Sequence, residues 1–127
     1  MNKKRIAVVG AGIGGMTTAV ALSQKGMDVT IFEQAPTLSE VGAGLTITPN
    51  ATKGLMYLNL GKEIEKIGMA HEHQGVRHYK TGEMIVPLHR GKKMLEQYGA
   101  YQFQLHRADI HDVLIKELKK NSPDSIF

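Results

Sequence analysis

"RIAVVGAGIGGMTTAVALSQKGMDVTIFEQ", residues 5–34, decides how this chain folds. Ile6 to Val9 is a short apolar, β-rich run closed by Gly10, which predicts a strand buried on both faces in a parallel sheet. From Ile13 to Lys25 the chain carries alanines, Met16 and Leu22 without proline, and Gly26 follows as the expected helix stop. Val29 to Phe32 supplies a second strand. The right-handed crossover rule makes the two strands parallel, so residues 5–34 form a βαβ unit and the fold class is α/β.

Gly10, Gly12 and Gly15 in "GAGIGG" fall on GxGxxG, after a strand and at the opening of a helix. Gly10 permits the tight turn, Gly12 lets backbone approach a pyrophosphate, and Gly15 allows the helix to pack closely on the strands. The helix then points its first N–H groups and the positive end of its dipole at the phosphates. This is the Rossmann-like dinucleotide arrangement. Glu33 ends the second strand 23 residues after Gly10, near the ~20-residue spacing at which an acidic side chain accepts ribose hydroxyls. It would repel a 2′-phosphate, which favours the adenosine ribose of NAD or FAD over that of NADP. The cofactor-binding set is therefore Gly10, Gly12, Ile13, Gly14 and Gly15, with Glu33 and Gln34 at the strand end. The bland alternative is that the glycines serve packing alone and Glu33 is merely an exposed strand end. It explains Gly15 and leaves Gly10 and Gly12 without a purpose.

Beyond Glu33 the pattern becomes irregular. Leu45 to Thr48 reads as a short strand, Asn50 as the cap of a helix carrying Leu55 and Leu58, and Lys62 to Ile67 as another short helix. "VRHYKTGEMIVP" (Val76 to Pro87) has two β-prone runs about Thr81 and Gly82, a hairpin insertion over about residues 75–88. His89 to Gly99 reads as a surface loop. Tyr101 to Leu105 alternates as a strand, and Ile110, Val113, Leu114 and Leu118 then lie on one helical face, giving a strand–helix unit over 101–120. Ser125 to Phe127 opens an expected third parallel strand.

The 127 residues suit one domain. No stretch approaches the ~18 uninterrupted apolar residues of a membrane span. The apolar run after the basic Met1 to Arg5 breaks at Gly10, so a signal peptide's hydrophobic region is missing and a cytoplasmic location, away from any membrane, is expected. Cysteine is absent, which excludes disulfides and thiolate metal sites. The formal charge of +4 comes from scattered lysines and short pairs such as Lys92 and Lys93. With no basic stripe interleaved with aromatics, nucleic acid is not an expected partner, whereas an anionic small molecule suits this charge.

The fingerprint cannot separate FAD from NAD, since both present the same adenosine diphosphate half. Two further stretches, "EVGAGLTITPNATKGLMYLNLG" (Glu40 to Gly61) and "YGAYQFQLHRADIHDVL" (Tyr98 to Leu114), together with the glycine motif and Glu33, resemble the group A FAD-dependent aromatic monooxygenases. The likeness is strongest to the salicylate and 6-hydroxynicotinate hydroxylase-like branch, and the whole chain follows the order of that family's N-terminal region. The resemblance implies a Rossmann-like FAD-binding domain, with NAD(P)H as co-substrate and a small aromatic molecule as the ring hydroxylated with O2. It puts Gly10 to Gly15 at the FAD pyrophosphate, Glu33 on the adenosine ribose, and Arg107 of "HRAD" at the phosphate and ribityl region. A guanidinium suits that place, being permanently charged and planar. Gly42, Ala43 and Gly44 match a loop near the flavin, and Thr46 matches a position facing substrate in some relatives. The bland reading of Leu45 to Thr48 is a half-buried strand with its threonines outward.

Members of that family are several times longer. The fold expected here is therefore incomplete relative to theirs, an N-terminal part (1–127) with the remainder of the monooxygenase beyond Phe127. Alone it is expected to bind FAD weakly and not to hydroxylate, and no catalytic residue is assigned within it. Two alternatives stay open at this point: an NAD-dependent dehydrogenase domain, which leaves "GAG…PN" and "HRAD" unexplained, and a non-catalytic dinucleotide-binding module. His71 and His73 have no third ligand at metal spacing, so "HEH" reads as a solvated loop and no metal site is assigned. His106 and His111 read as structural, with His106 a candidate helix cap.

Overall fold

A computed structural model describes residues 4–38 and 43–125. The chain clusters into two compact units, Met1–Ala43 with His106–Phe127, and Gly44–Leu105.

In the first unit, β1 (Arg5–Val9) pairs in parallel with β2 (Asp28–Phe32), in register from Arg5 opposite Asp28 to Val9 opposite Phe32. The crossover between them is α1 (Ile13–Gln24), whose buried residues Met16, Ala19, Val20 and Ser23 fall at i, i+3, i+4 and i+7. That spacing turns one stripe of the helix inward. The helix ends where Gly26 takes φ +76°. There the Gly26 N–H donates to Ser23 O and the Met27 N–H to Leu22 O, which satisfies the last carbonyls. A long helix (Arg107–Asn121) packs against α1 through Ile110, Leu114 and Leu118, all fully buried. Asp109 in its first turn and Lys119 and Lys120 in its last complement the helix dipole.

The first strand departs from the expectation of burial on both faces. β1 alternates between exposed and half-buried, and Val9 is 87 % exposed. Val29 and Ile31 of β2 are buried while Phe32 is half exposed, so helices cover one face of the pair and the other is open. At the far edge of β2 the Ile31 N–H donates to Ser125 O at 2.6 Å. The chain thus returns beside β2 where the third strand was expected, and Ile126 and Phe127 of that strand lie outside the described residues.

In the second unit, β3 (Gly44–Ile47) leads into α2 (Pro49–Tyr57) and α3 (Gly61–Ile67). Leu55, Leu58, Leu60 and Ile64 form the core between these two helices. The cap of α2 is Thr48 rather than Asn50, because Pro49 occupies the first helical position, where its missing N–H costs nothing. The hairpin turns at Thr81 and Gly82 as expected, but its arms β4 (His73–Arg77) and β5 (Met84–His89) pair further from the turn, from Arg77 opposite Met84 to His73 opposite His89. His73, read as loop, therefore opens a strand. Within His89 to Gly99, also read as loop, Lys92–Tyr98 is the helix α4, and the Glu72 carboxylate accepts the Lys92 N–H at 3.2 Å. β6 (Phe103–His106) pairs with β3 and turns Phe103 and Leu105 inward. The helix Arg107–Asn121 follows directly and is α5.

Replacing Leu114 by Ala, at the buried contact of α5 with α1, should cost about 3 kcal/mol in urea unfolding. The same change at Leu95, which is 40 % exposed, should cost under about 1 kcal/mol.

Candidate functional site

The β1–α1 turn is built from the backbone outward. Gly10 takes φ +93°, a conformation that side chains disfavour, and its N–H donates to Phe32 O at 2.8 Å. The Gly10 carbonyl lies against Gly15 so closely that a Cβ on Gly15 would sit 2.0 Å from the oxygen. Gly12 differs in kind. It has ordinary extended φ and ψ of −66° and 176°, and a Cβ there would meet nothing within 4 Å. Packing thus accounts for Gly15, and the turn for Gly10, but neither accounts for Gly12. Ile13 and Gly14 open α1, and the cap residue Gly12 makes no side-chain bond to that helix end.

Glu33 stands at the end of β2 and reaches back to this turn. Its Oε2 accepts the Ala11 N–H at 2.6 Å and its Oε1 accepts the Ala35 N–H at 2.8 Å. These two bonds, the Ala11 bond first, hold the Glu33 carboxyl below its ordinary 4.5, with a smaller contribution from nearby His111. Each carboxylate oxygen keeps a second lone pair for a further donor. Gln34 follows in an exposed bend. A cavity of about 170 Å³ lies beside this corner, lined by Ala11, Gly12, Glu33, Ala35 and His111 among others.

α5 brings the other charged group. Its first residue is Arg107, exposed, with the Arg107 N–H donating to Ala43 O at 2.9 Å. His106 caps the helix, its Nδ1 accepting the Ala108 N–H at 3.3 Å, as its candidate role required. One turn after Arg107, on the same helical face, His111 is buried and its Nε2 meets the Ala11 carbonyl at 2.5 Å. The sequence reading counted His111 as structural and missed this contact. The only signal was its position one turn after the "HRAD" arginine, since the partner lies 100 residues away.

Gly10, Gly12, Ile13, Gly14, Gly15, Glu33, Gln34 and Arg107 all belong to the first unit. Gly44 and Thr46 belong to the second unit, where Gly44 opens β3 and Thr46 is exposed along it. Gly42 lies outside the described residues. Among the described residues no group of three or more His, Asp or Glu side chains could hold a metal, and no helix is long and apolar enough to cross a membrane.

Comparison with known proteins extends this geometry. Residues 8–61 match the family model of an NAD(P)-binding Rossmann-like domain. The chain is 37 % identical to 6-hydroxynicotinate 3-monooxygenase of Pseudomonas fluorescens over 123 residues, which is 97 % of this chain and 31 % of that enzyme. It is 39 % identical to 3-amino-4-hydroxybenzoate 2-monooxygenase of Streptomyces cremeus over 87 % of this chain and 28 % of that one. This chain is similar to aromatic monooxygenases, which it matches at 30–39 % identity. It corresponds to the N-terminal, FAD-binding part of those enzymes and spans about 31 % of the length of the first of them. The structure of Klebsiella pneumoniae HpxO complexed with FAD and uric acid superposes with a TM-score of 0.80 at 27 % identity, over 97 % of this chain and 30 % of that one. The monooxygenase likeness continues well past residue 61, through "HRAD", which sets the dehydrogenase alternative aside.

Two outcomes follow from the corner itself. Gly15→Ala should destabilise the fold by about 1–3 kcal/mol or prevent folding, because the opposing atom is backbone. For Glu33 the folded value lies below the unfolded one, so its contribution is complete above the ordinary 4.5 and is lost as pH falls through the lowered value. Urea unfolding should find Glu33→Gln less stable than wild type at neutral pH, with the difference shrinking on acidification to about pH 3.

Proposed function

We propose that this chain is the FAD-binding portion of a flavin-dependent monooxygenase that hydroxylates a small aromatic substrate with NAD(P)H and O2 in the cytoplasm. The observation that carries the reading is Gly12. It is a glycine that neither backbone conformation nor packing requires, at the mouth of a helix to which its cap residue makes no side-chain bond, and beside a carboxylate held ionised. A pyrophosphate lying against that backbone supplies the missing reason.

In this reading Gly10, Gly12, Ile13, Gly14 and Gly15 hold the pyrophosphate with backbone N–H groups and the helix dipole. Glu33, with Gln34 beside it, accepts the adenosine ribose hydroxyls on its remaining lone pairs. Arg107 offers its planar donors to the phosphate and ribityl oxygens. Gly44 leaves room for the flavin, and Thr46 faces the substrate. The flavin, when bound, supplies the redox chemistry that takes electrons from NAD(P)H and delivers one atom of oxygen to the ring. The chain's own part is to bind and orient that cofactor. Hydroxylation needs the substrate-facing remainder that the longer relatives carry, so the chain alone binds FAD weakly and does not turn over.

The test is Gly12→Val, examined by fluorescence titration with FAD alongside urea unfolding. Open space at the Cβ predicts a stability change within about 1 kcal/mol, the ordinary range for a cap residue. FAD affinity should fall at least about tenfold, because the side chain occupies the phosphate position. Equal FAD affinity in Gly12→Val and wild type would refute the placement. ADP should compete with FAD, and its 2′-phosphorylated counterpart should compete less well because Glu33 repels the added charge.

A further inference from the structure

We infer that His111 is a positioning residue for the phosphate-binding backbone, setting the direction of the Gly12 N–H by holding the opposite end of the same peptide group. The inference rests on the FAD reading above.

A carbonyl oxygen has no proton to give, so the 2.5 Å contact between His111 Nε2 and Ala11 O requires the ring proton on Nε2. The chain has no cis peptide bonds among its described residues. In a trans peptide the C=O and the following N–H point in opposite directions. The Ala11 carbonyl is turned toward α5, so the Gly12 N–H is turned away from α5, and a Cβ on Gly12 would meet nothing within 4 Å. The preceding peptide is held in the same fashion. Its N–H, on Ala11, is bound by Glu33, and its C=O, on Gly10, is pressed against Gly15.

Two consecutive peptides are thus oriented by two side chains from different parts of the chain, Glu33 just after β2 and His111 on α5. Ala11 is 2 % exposed and His111 3 % exposed, so the bond between them is buried. A glycine-flanked peptide has a wide choice of orientation, and the imidazole removes it before any ligand arrives. Binding then need not bear the entropy of ordering that peptide.

The experiment uses the 127-residue chain as wild type, His111→Gln and His111→Phe, with ADP and FAD as probes. Glutamine places an amide donor near the position of Nε2, and phenylalanine keeps ring volume without a donor. His111→Phe should bind ADP about five- to tenfold more weakly, the worth of one ordinary hydrogen bond, and His111→Gln should recover most of the loss. The Gly12 amide resonance should move in His111→Phe and return toward wild type in His111→Gln. Equal ADP affinity in wild type and His111→Phe overturns the inference and leaves the FAD reading intact. A wild-type chain that binds neither FAD nor ADP overturns the FAD reading first, and the inference with it. Should His111→Phe fail to fold, nitrogen NMR of the wild-type imidazole decides: a neutral ring carrying its proton on Nδ1 overturns the inference, and one carrying it on Nε2 supports it.

Discussion

The contact on which the first unit depends is that of the Gly10 carbonyl with the α-carbon of Gly15. It allows the first turn of α1 to lie directly on the end of β1, and there is no room for even one methyl group between them. From that approach the rest follows in order. α1 crosses the strand pair closely enough to bury Met16, Ala19 and Val20, and α5, with Ile110, Leu114 and Leu118 buried, packs against α1. The dense interior that results is what makes single-methyl changes expensive here.

The same packing has a chemical consequence. By seating α5 on α1, it delivers His111 to the carbonyl of a residue in the glycine turn, and it sets Arg107 one turn away on the same helical face. By pairing β2 with β1, it delivers Glu33 to the N–H of that same residue. Ala11 is therefore the point where strand and helix meet, and its two amide bonds couple the turn's geometry to both. A corner assembled before its ligand arrives is a sound basis for binding an anion. The N–H groups need not reorganise, and the carboxylate is already ionised at neutral pH.

The open surfaces of the units differ from this corner in chemistry. Val9 and Phe32 on β1 and β2, and Val76, Tyr79 and Ile85 on the hairpin, are large apolar groups that meet solvent. Their exposure shows how far local pattern and final burial can part. The Ile6 to Val9 run has the composition of a strand covered on both sides, yet it alternates between exposed and half-buried.

What the residues determined by themselves was local. The 3.6-residue spacing of α1 and α5, the glycine stop at Gly26, the turn at Gly82 and the order strand–glycines–helix–strand–acid are all short-range patterns, and each appears in the structure near its expected place. The short helix α4 escaped because seven residues that bury nothing carry too little periodic signal. The outer arms of the hairpin escaped because pairing across strands, rather than propensity, extends them to His73 and His89. Glu33 was legible because its role depends on a fixed separation along a βαβ unit. Only the tertiary structure could decide the role of His111, since a hydrogen bond spanning 100 residues leaves no mark in spacing and exists only once α5 has packed on α1.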